Sequence, residues 1–117
     1  MMRLDRFTER AQDAGQRAMQ VMTRYGHTQI DVEHLLVALL EQPEGVIPQI
    51  LGELNVDVDA MLQRLDDVLR ASPKAGIYGD GGVRQFFVTP RLKRVLDAAR
   101  DEANRLKDDY ISTEHIF

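Results

Sequence analysis

Three histidines are the side chains of this sequence best suited to binding a metal ion or moving a proton. His27 and His34 are seven residues apart, and Gly26 marks a turn that separates His27 from the helix expected to carry His34. A structural zinc site takes four ligands, mostly cysteine and histidine, and the chain has no cysteine. The pattern therefore predicts no metal site. His34 and His115 are instead expected to be partly buried packing residues with one hydrogen bond each.

Hydroxyl and carboxyl groups make no better case for catalysis. Serine occurs only at Ser72 and Ser112, and neither stands in the G-x-S-x-G turn that presents a serine nucleophile. Asp66 and Asp67 are adjacent on an expected helix, where neighbouring side chains point apart. The glycines of "YGDGGV" are not followed by the Lys and Ser/Thr of a phosphate-binding loop. The sequence therefore predicts a domain that is not an enzyme and that holds no cofactor of its own.

Composition and charge are those of an ordinary soluble, single-domain protein. Of the 117 residues, 44% are hydrophobic and 29% are charged, and no apolar run approaches the roughly 18 residues of a membrane span. A net charge of -4 argues against nucleic acid as the main partner. The absence of cysteine and the charged opening "MMRLDRFTER" favour the cytoplasm. One local basic group is interpreted as a solvated linker and helix face: Arg84, Arg91, Lys93 and Arg94.

Apolar residues spaced three or four apart predict helices along most of the chain, and five polar side chains stand where they can cap them. These caps are Thr8, Asp31, Asp57, Thr89 and Ser112. The predicted helices span about residues 9–25, 32–41, 46–54, 58–71 and 90–106, and a last one begins after Ser112. No β-sheet is expected.

A glycine-rich segment divides the chain into two parts. "SPKAGIYGDGGV" holds four of the eight glycines and one of the four prolines, so it is predicted to be a loop. Phe86 or Phe87 is expected to attach this loop to the core. The single domain, residues 1–117, then consists of a first repeat at about 5–71, a linker at 72–88 and a partial second repeat at 89–117.

The two parts are related by an internal repeat. A shift of 81 positions superposes Thr8 on Thr89, Ala18 on Ala99, Ile30 on Ile111, Asp31 on Ser112, Glu33 on Glu114 and His34 on His115. After "EH" the first copy continues through "LLVALL" and two more helices, whereas the second has only Ile116 and Phe117. The predicted fold class is all-α, with two pseudo-twofold helical repeats of which the second is truncated, and the natural protein is expected to continue.

The paired elements "IDVEHLL" and "ISTEHIF", each after a long capped helix, resemble the N-terminal repeat domain of Clp ATPases. The start "MRLDRFT" is especially similar to that of ClpB-type disaggregases. The resemblance covers essentially the whole chain. It implies an all-helical domain tethered ahead of ATPase rings that thread polypeptide, with ATP and magnesium bound by the rest of the parent protein.

The resemblance also implies three residues that handle substrate: Thr8, Asp108 and Glu114, with Asp109 as a rival to Asp108 in "KDDY". The residues themselves allow a structural interpretation of each. Thr8 is a helix cap, worth about 1 kcal/mol. Glu114 stands in the first turn of a helix, where the dipole favours a carboxylate by about 0.3–1 kcal/mol. Asp108 is a turn residue that is most simply solvated.

These observations predict a substrate-recognition domain. It would bind exposed segments of unfolded or aggregated polypeptide in an apolar groove with a carboxylate rim, at the junction of the two repeats. One alternative is a domain that docks folded adaptor proteins, as in ClpC- or ClpA-type unfoldases. Another is a stand-alone helical regulator. The isolated domain is expected to be a monomer and the parent protein a ring of identical subunits.

Overall fold

The computed structural model describes residues 6–72 and 87–117, which form helices connected by short turns. In chain order these are α1 (Glu9–Arg24), β1 (Gln29–Ile30), α2 (Val32–Glu41), α3 (Val46–Glu53), α4 (Val58–Ala71), β2 (Phe87–Val88), α5 (Pro90–Arg105) and α6 (Thr113–Ile116). The predicted helical class and the positions of the helices are confirmed. Most of the predicted linker, including Arg84 and Phe86, lies outside the described residues.

The predicted caps make the contacts that start the helices. The Thr8 hydroxyl oxygen accepts a hydrogen bond from the backbone N–H of Ala11 at 3.1 Å. Its repeat counterpart Thr89 accepts one from Leu92, also at 3.1 Å. Each bond satisfies an amide that has no partner within the helix. The two long helices therefore begin in the same way, as the superposition of the repeats predicts.

Small side chains let α1 and α2 pack closely. Ala14 and Ala18 on α1 and Ala38 on α2 are fully buried, and six of the ten residues of α2 are buried. Ala99 and Ala103 of α5 are buried in the same core, which joins residues from both repeats. Close packing at these positions leaves no room for larger side chains. The helix predicted at 32–41 is therefore buried on most of its surface.

The expectation that the chain has no β-sheet is wrong. β1 and β2 pair in parallel, with Gln29 opposite Phe87 and Ile30 opposite Val88. The amide of Phe87 donates to the carbonyl of Thr28 at 2.9 Å. Strands of two residues are too short to show the alternation by which a strand is recognised in a sequence.

A matching backbone contact joins the other two segments. The amide of Thr8 donates to the carbonyl of Ile111 at 3.0 Å, and the amide of Ile111 donates to the carbonyl of Arg6 at 2.7 Å. Thr89 makes the equivalent bond to Ile30 at 3.2 Å. The segment before the long helix of each repeat thus pairs with the turn of the other repeat, which is a pseudo-twofold exchange.

Two apolar side chains lie further out than the sequence predicts. Phe87 is 62% exposed, so the chain after the linker is attached through its backbone in β2 and not through this ring. Leu106, the last residue of the helix predicted at 90–106, is the C-terminal cap of the helix and is half exposed.

Candidate functional site

The three predicted site residues lie near the N-terminal ends of α1 and α6. Thr8 is partly buried and caps α1, and its amide bonds to Ile111 immediately before α6. Asp108 lies in the turn after α5, and Glu114 lies in the first turn of α6. The fold therefore places residues that are 100 positions apart in sequence on one side of the molecule.

Asp108 holds a buried histidine and is not simply solvated. Its carboxylate contacts His115 Nε2 at 2.9 Å, and the other ring nitrogen of His115 accepts from the amide of Ser112 at 2.9 Å. The His115 side chain is only 8% exposed, whereas that of Asp108 is 51% exposed. Because Nδ1 accepts a hydrogen bond, the proton of a neutral ring lies on Nε2 and points at Asp108. Asp108 thereby orients the histidine that completes the cap of α6.

The first repeat contains the same arrangement with a different partner. The amide of Asp31 donates to His34 Nδ1 at 2.8 Å, and His34 Nε2 lies 2.9 Å from His27 Nδ1. His27 is the counterpart of Asp108 under the 81-residue shift. The expectation of one hydrogen bond for each of His34 and His115 is wrong, because each ring uses both nitrogens. Neither the pairing nor the difference between the repeats was predicted from the sequence.

The two glutamates of the "EH" elements also differ. Glu33 accepts a hydrogen bond from Arg91 at 3.2 Å, and the same guanidinium lies 3.6 Å from Asp31. Glu114 is exposed, and its carboxylate accepts from the hydroxyl of Thr113 at 3.0 Å. Glu114 therefore presents its charge to solvent beside the start of α6.

An apolar groove lies between the repeats, as predicted. Its volume is about 300 Å³, and its walls come chiefly from α1 and α5. The lining residues are Phe7, Ala11, Gln12, Gly15, Gln16, Ala18, Met19, Ile30, Leu35, Val88, Leu92, Leu96 and Ile116. None of these described residues is charged. Neither Asp108 nor Glu114 is among the lining residues, so the carboxylate rim expected from the sequence stays a prediction.

Gly15 forms a low point on the α1 wall of the groove. A Cβ atom built on Gly15 would meet nothing within 4 Å, so open space lies above the helix there. Ala11 and Met19, one turn to either side, line the same wall. Gly15 was not predicted from the sequence to line a binding site. The available signal was a glycine on a helix face whose neighbours one turn away are apolar, at a position where glycine weakens the helix.

A second cavity, of about 350 Å³, lies within the first repeat and is lined by charged side chains that pair with one another. Arg24 forms two hydrogen bonds with Glu41 across it, at 3.2 and 3.3 Å. The Tyr25 hydroxyl donates to Asp66, and burial together with this bond raises the pKa of Tyr25. The hydrogen bond from Tyr25, followed by that from Arg70, lowers the pKa of Asp66. These groups satisfy one another and leave the apolar groove as the better site.

No metal site or membrane segment emerges from the residues that the structure describes. In ranges 6–72 and 87–117, no three His, Asp or Glu side chains stand close enough to hold a metal ion. None of the helices there combines the length and the apolar character that a membrane crossing requires.

The chain matches known proteins over almost its whole length. The family model for the Clp repeat (R) N-terminal domain matches residues 6–117. The chaperone protein ClpB of Nitratidesulfovibrio vulgaris is 38% identical over 117 residues, which are 99% of this chain and 13% of that protein. The ATP-binding subunit ClpC of the Clp protease of Staphylococcus aureus is 32% identical over 96% of this chain and 13% of its own length.

A solved structure shows the same fold. The N-terminal domain of the ClpV1 ATPase from E. coli EAEC superposes with a TM-score of 0.82 at 26% identity, and the match covers 97% of this chain and 66% of that one. The chain thus spans only a small fraction of the curated relatives and about two thirds of this solved domain.

Proposed function

The chain belongs to the Clp repeat (R) N-terminal domain family, and from this we propose that it binds exposed apolar segments of unfolded or aggregated polypeptide for ATP-driven threading by the rest of its parent protein. The family domain is a small helical unit and not the ATPase module. ATP, magnesium, the assembly of the parent into a ring and a location in the cytoplasm belong to the same proposal.

The apolar groove between α1 and α5 is the observation that carries the proposal. Its volume of about 300 Å³ is at the small end of the range of roughly 300–1,000 Å³ usual for binding pockets. It can take a few large apolar side chains but not the surface of a folded protein. Its described lining offers two glutamines and no charge, so it does not discriminate by charge. A segment exposed by unfolding supplies apolar side chains without a fixed sequence.

The predicted site residues fit this proposal as contacts beyond the groove. Phe7 and Ile116 line the groove. Phe7 directly precedes Thr8 in the chain, and Ile116 lies two residues after Glu114. The exposed carboxylate of Glu114 and the half-exposed carboxylate of Asp108 can accept hydrogen bonds from the backbone or from basic side chains of a bound segment. In this proposal the groove supplies most of the affinity and the carboxylates select the direction of the segment.

Filling the groove tests the proposal. Gly15→Leu places an apolar side chain in the open space above α1, and we expect the affinity for an unfolded model protein to fall at least about tenfold, the equivalent of about 1.4 kcal/mol. Helix propensity favours this change, so the domain should remain folded. Binding is measured by fluorescence anisotropy with a permanently unfolded, labelled protein, and folding by circular dichroism.

Gly52→Leu is the matched control. Gly52 lies in the helix α3, has equally open space around its Cβ position and does not line the groove. We expect this variant to bind like the unchanged domain. Equal affinities of the Gly15→Leu and Gly52→Leu variants would contradict the assignment of the groove.

Docking of folded adaptor proteins is the second candidate, because ClpC relatives match the chain nearly as well as ClpB relatives do. A folded partner would need a larger surface than the groove. A partner that binds both glycine variants equally well, while unfolded polypeptide binds neither the domain nor its variants, would favour this candidate. A stand-alone regulator would require a parent gene without ATPase motifs.

A further inference from the structure

His27 and His34 form a buried pair that takes no part in the proposed binding groove. His27 is 8% exposed and His34 is 3% exposed. Their rings meet edge to face with centroids 5.1 Å apart, and His27 also stacks on Tyr25. The pair connects the turn that follows α1 to the first turn of α2, and β1 lies between these two turns in the chain. It therefore holds the segment of the first repeat that pairs with β2.

The hydrogen bonds fix where the protons lie. A backbone N–H can only donate, so the amide of Asp31 requires His34 Nδ1 to be an acceptor. The proton of neutral His34 then lies on Nε2 and is donated to Nδ1 of His27. The proton of His27 must consequently lie on its own Nε2, which is buried and has no partner among the described residues. One continuous chain of three donors thus ends at an unpaired N–H.

If either ring gains a second proton, two hydrogen-bond donors face each other and the bond between them is lost. Protonation of His34 places a hydrogen on Nδ1, which faces the amide of Asp31, so the cap of α2 loses its bond. Protonation of His27 places a hydrogen on Nδ1, which faces the Nε2 hydrogen of His34. We propose that the His27–His34 pair is an acid-sensitive latch, which holds β1 and the start of α2 in place while both rings are neutral and releases them when the pair takes up a proton.

The second repeat has the same arrangement without the conflict at Nε2. His115 faces the carboxylate of Asp108, which has no hydrogen to conflict with and which attracts a charged imidazole. The hydroxyl oxygen of Ser112 lies 3.1 Å from His115 Nδ1 and can accept from it when it is protonated. Glu102 and Glu114 add negative charge nearby. The conflict at Nε2 is therefore specific to the first repeat, whereas a proton on His115 Nδ1 would still face the amide of Ser112.

The charges around the first pair only partly offset the conflict. Asp31 and Glu33, at the start of α2, favour a charged His34, but Arg91 of α5 bonds to both carboxylates. Tyr25 presents a neutral ring to His27. Burial, followed by the neighbouring His27, lowers the pKa of His34 below 6.5. The folded state thus resists protonation, whereas the unfolded chain accepts it. Stability contributed by the neutral His34 ring is complete above about pH 6.5 and declines as the pH falls below that value.

Amide hydrogen exchange of α2 between pH 8 and pH 5 tests the latch. After correction for intrinsic exchange, the opening constant for residues 35–40 should rise below about pH 6.5, by up to tenfold per pH unit for each imidazole that gains a proton on opening. His27→Asn keeps an acceptor for His34 Nε2 but cannot be protonated, so it removes the opposed hydrogen between the two rings and should reduce this slope. No rise in the unchanged domain, or an undiminished slope in His27→Asn, would overturn the proposal.

The reciprocal change keeps the test decisive if His27→Asn does not fold. Asp108→His alters a half-exposed residue and installs the first repeat's pair in the second repeat. The ring titration of His115, followed by NMR, should then shift to lower pH relative to the unchanged domain, because a carboxylate that favours the charged ring is replaced by an opposed donor. An unchanged titration of His115 would contradict the argument from opposed donors.

Discussion

The two acidic residues assigned to substrate handling have different structural roles. Asp108 orients the buried ring of His115, whereas the carboxylate of Glu114 is exposed beside the start of α6. In the sequence both are acidic residues close to the same helix, and nothing local distinguishes them. The distinction depends on a contact between residues seven positions apart, across a turn. A binding study that treats substitutions of Asp108 and of Glu114 as equivalent would therefore combine a structural effect with a binding effect.

At the residue scale, Asp108→Ala should lower the free energy of unfolding by about 0.5–1 kcal/mol, because it leaves a buried imidazole N–H without its acceptor. This corresponds to about 2–4 °C in the melting temperature. Glu114→Ala should change the free energy by less than about 0.5 kcal/mol. Thermal unfolding by circular dichroism measures both. A larger loss from Glu114→Ala than from Asp108→Ala would reverse the roles assigned here.

At the scale of helices, α1 serves both the core and the groove through small residues on adjoining faces. Ala14 is fully buried against its neighbours, while Gly15, the next residue, opens onto the groove. The apolar spacing that predicts α1 identifies the buried side of the helix, but it does not predict how deep the groove is. Depth depends on how far α5 stands from α1, and this distance is set by the contacts between the repeats.

Ala14→Leu should destabilise the domain by about 1–3 kcal/mol, since the added side chain has no space in a close-packed contact. Gln20→Leu introduces the same side chain on the exposed face of α1 and should change stability by less than about 0.5 kcal/mol. Urea unfolding at neutral pH measures both variants. An Ala14→Leu variant as stable as the Gln20→Leu control would show that the packing of α1 is looser than described.

At the scale of the whole molecule, each repeat contributes backbone partners to the other. Thr8 bonds to Ile111 and Thr89 bonds to Ile30, so neither long helix is anchored by its own repeat alone. One core cluster also includes residues of both repeats. Because the contacts are exchanged, loss of structure in one repeat removes partners from the other. The described part of the chain should therefore unfold as one cooperative unit.

Ile47→Ala tests this coupling through the core cluster that the two repeats share. Ile47 of α3 is 1% exposed, and truncation should cost about 2–5 kcal/mol. If unfolding is cooperative, the amide of Ile111 in the second repeat should lose hydrogen-exchange protection by the same factor as the amides of α2. Protection of Ile111 that persists while α2 is weakened would show that the repeats open separately.

The sequence by itself determined the features that depend on local spacing. Thr8 and Thr89 cap the long helices as predicted, because a cap acts on amides two or three residues away. The stripes that define α1, α2 and α5 are likewise periodic within one helix. The 81-residue shift relates the caps and helices of the two repeats, and the comparisons confirm the family to which this pattern pointed.

Only the tertiary structure decided which groups meet across the repeats. The pairing of β1 with β2, the exposure of Phe87, the partners of His34 and His115, and the absence of charge from the described groove lining all depend on contacts between separate segments. The two repeats have closely similar patterns, yet their equivalent histidines have different partners. His34 contacts the imidazole of His27, whereas His115 contacts the carboxylate of Asp108. Hydrogen bonding and burial act over a few ångströms in space, whereas sequence patterns report only neighbours along the chain.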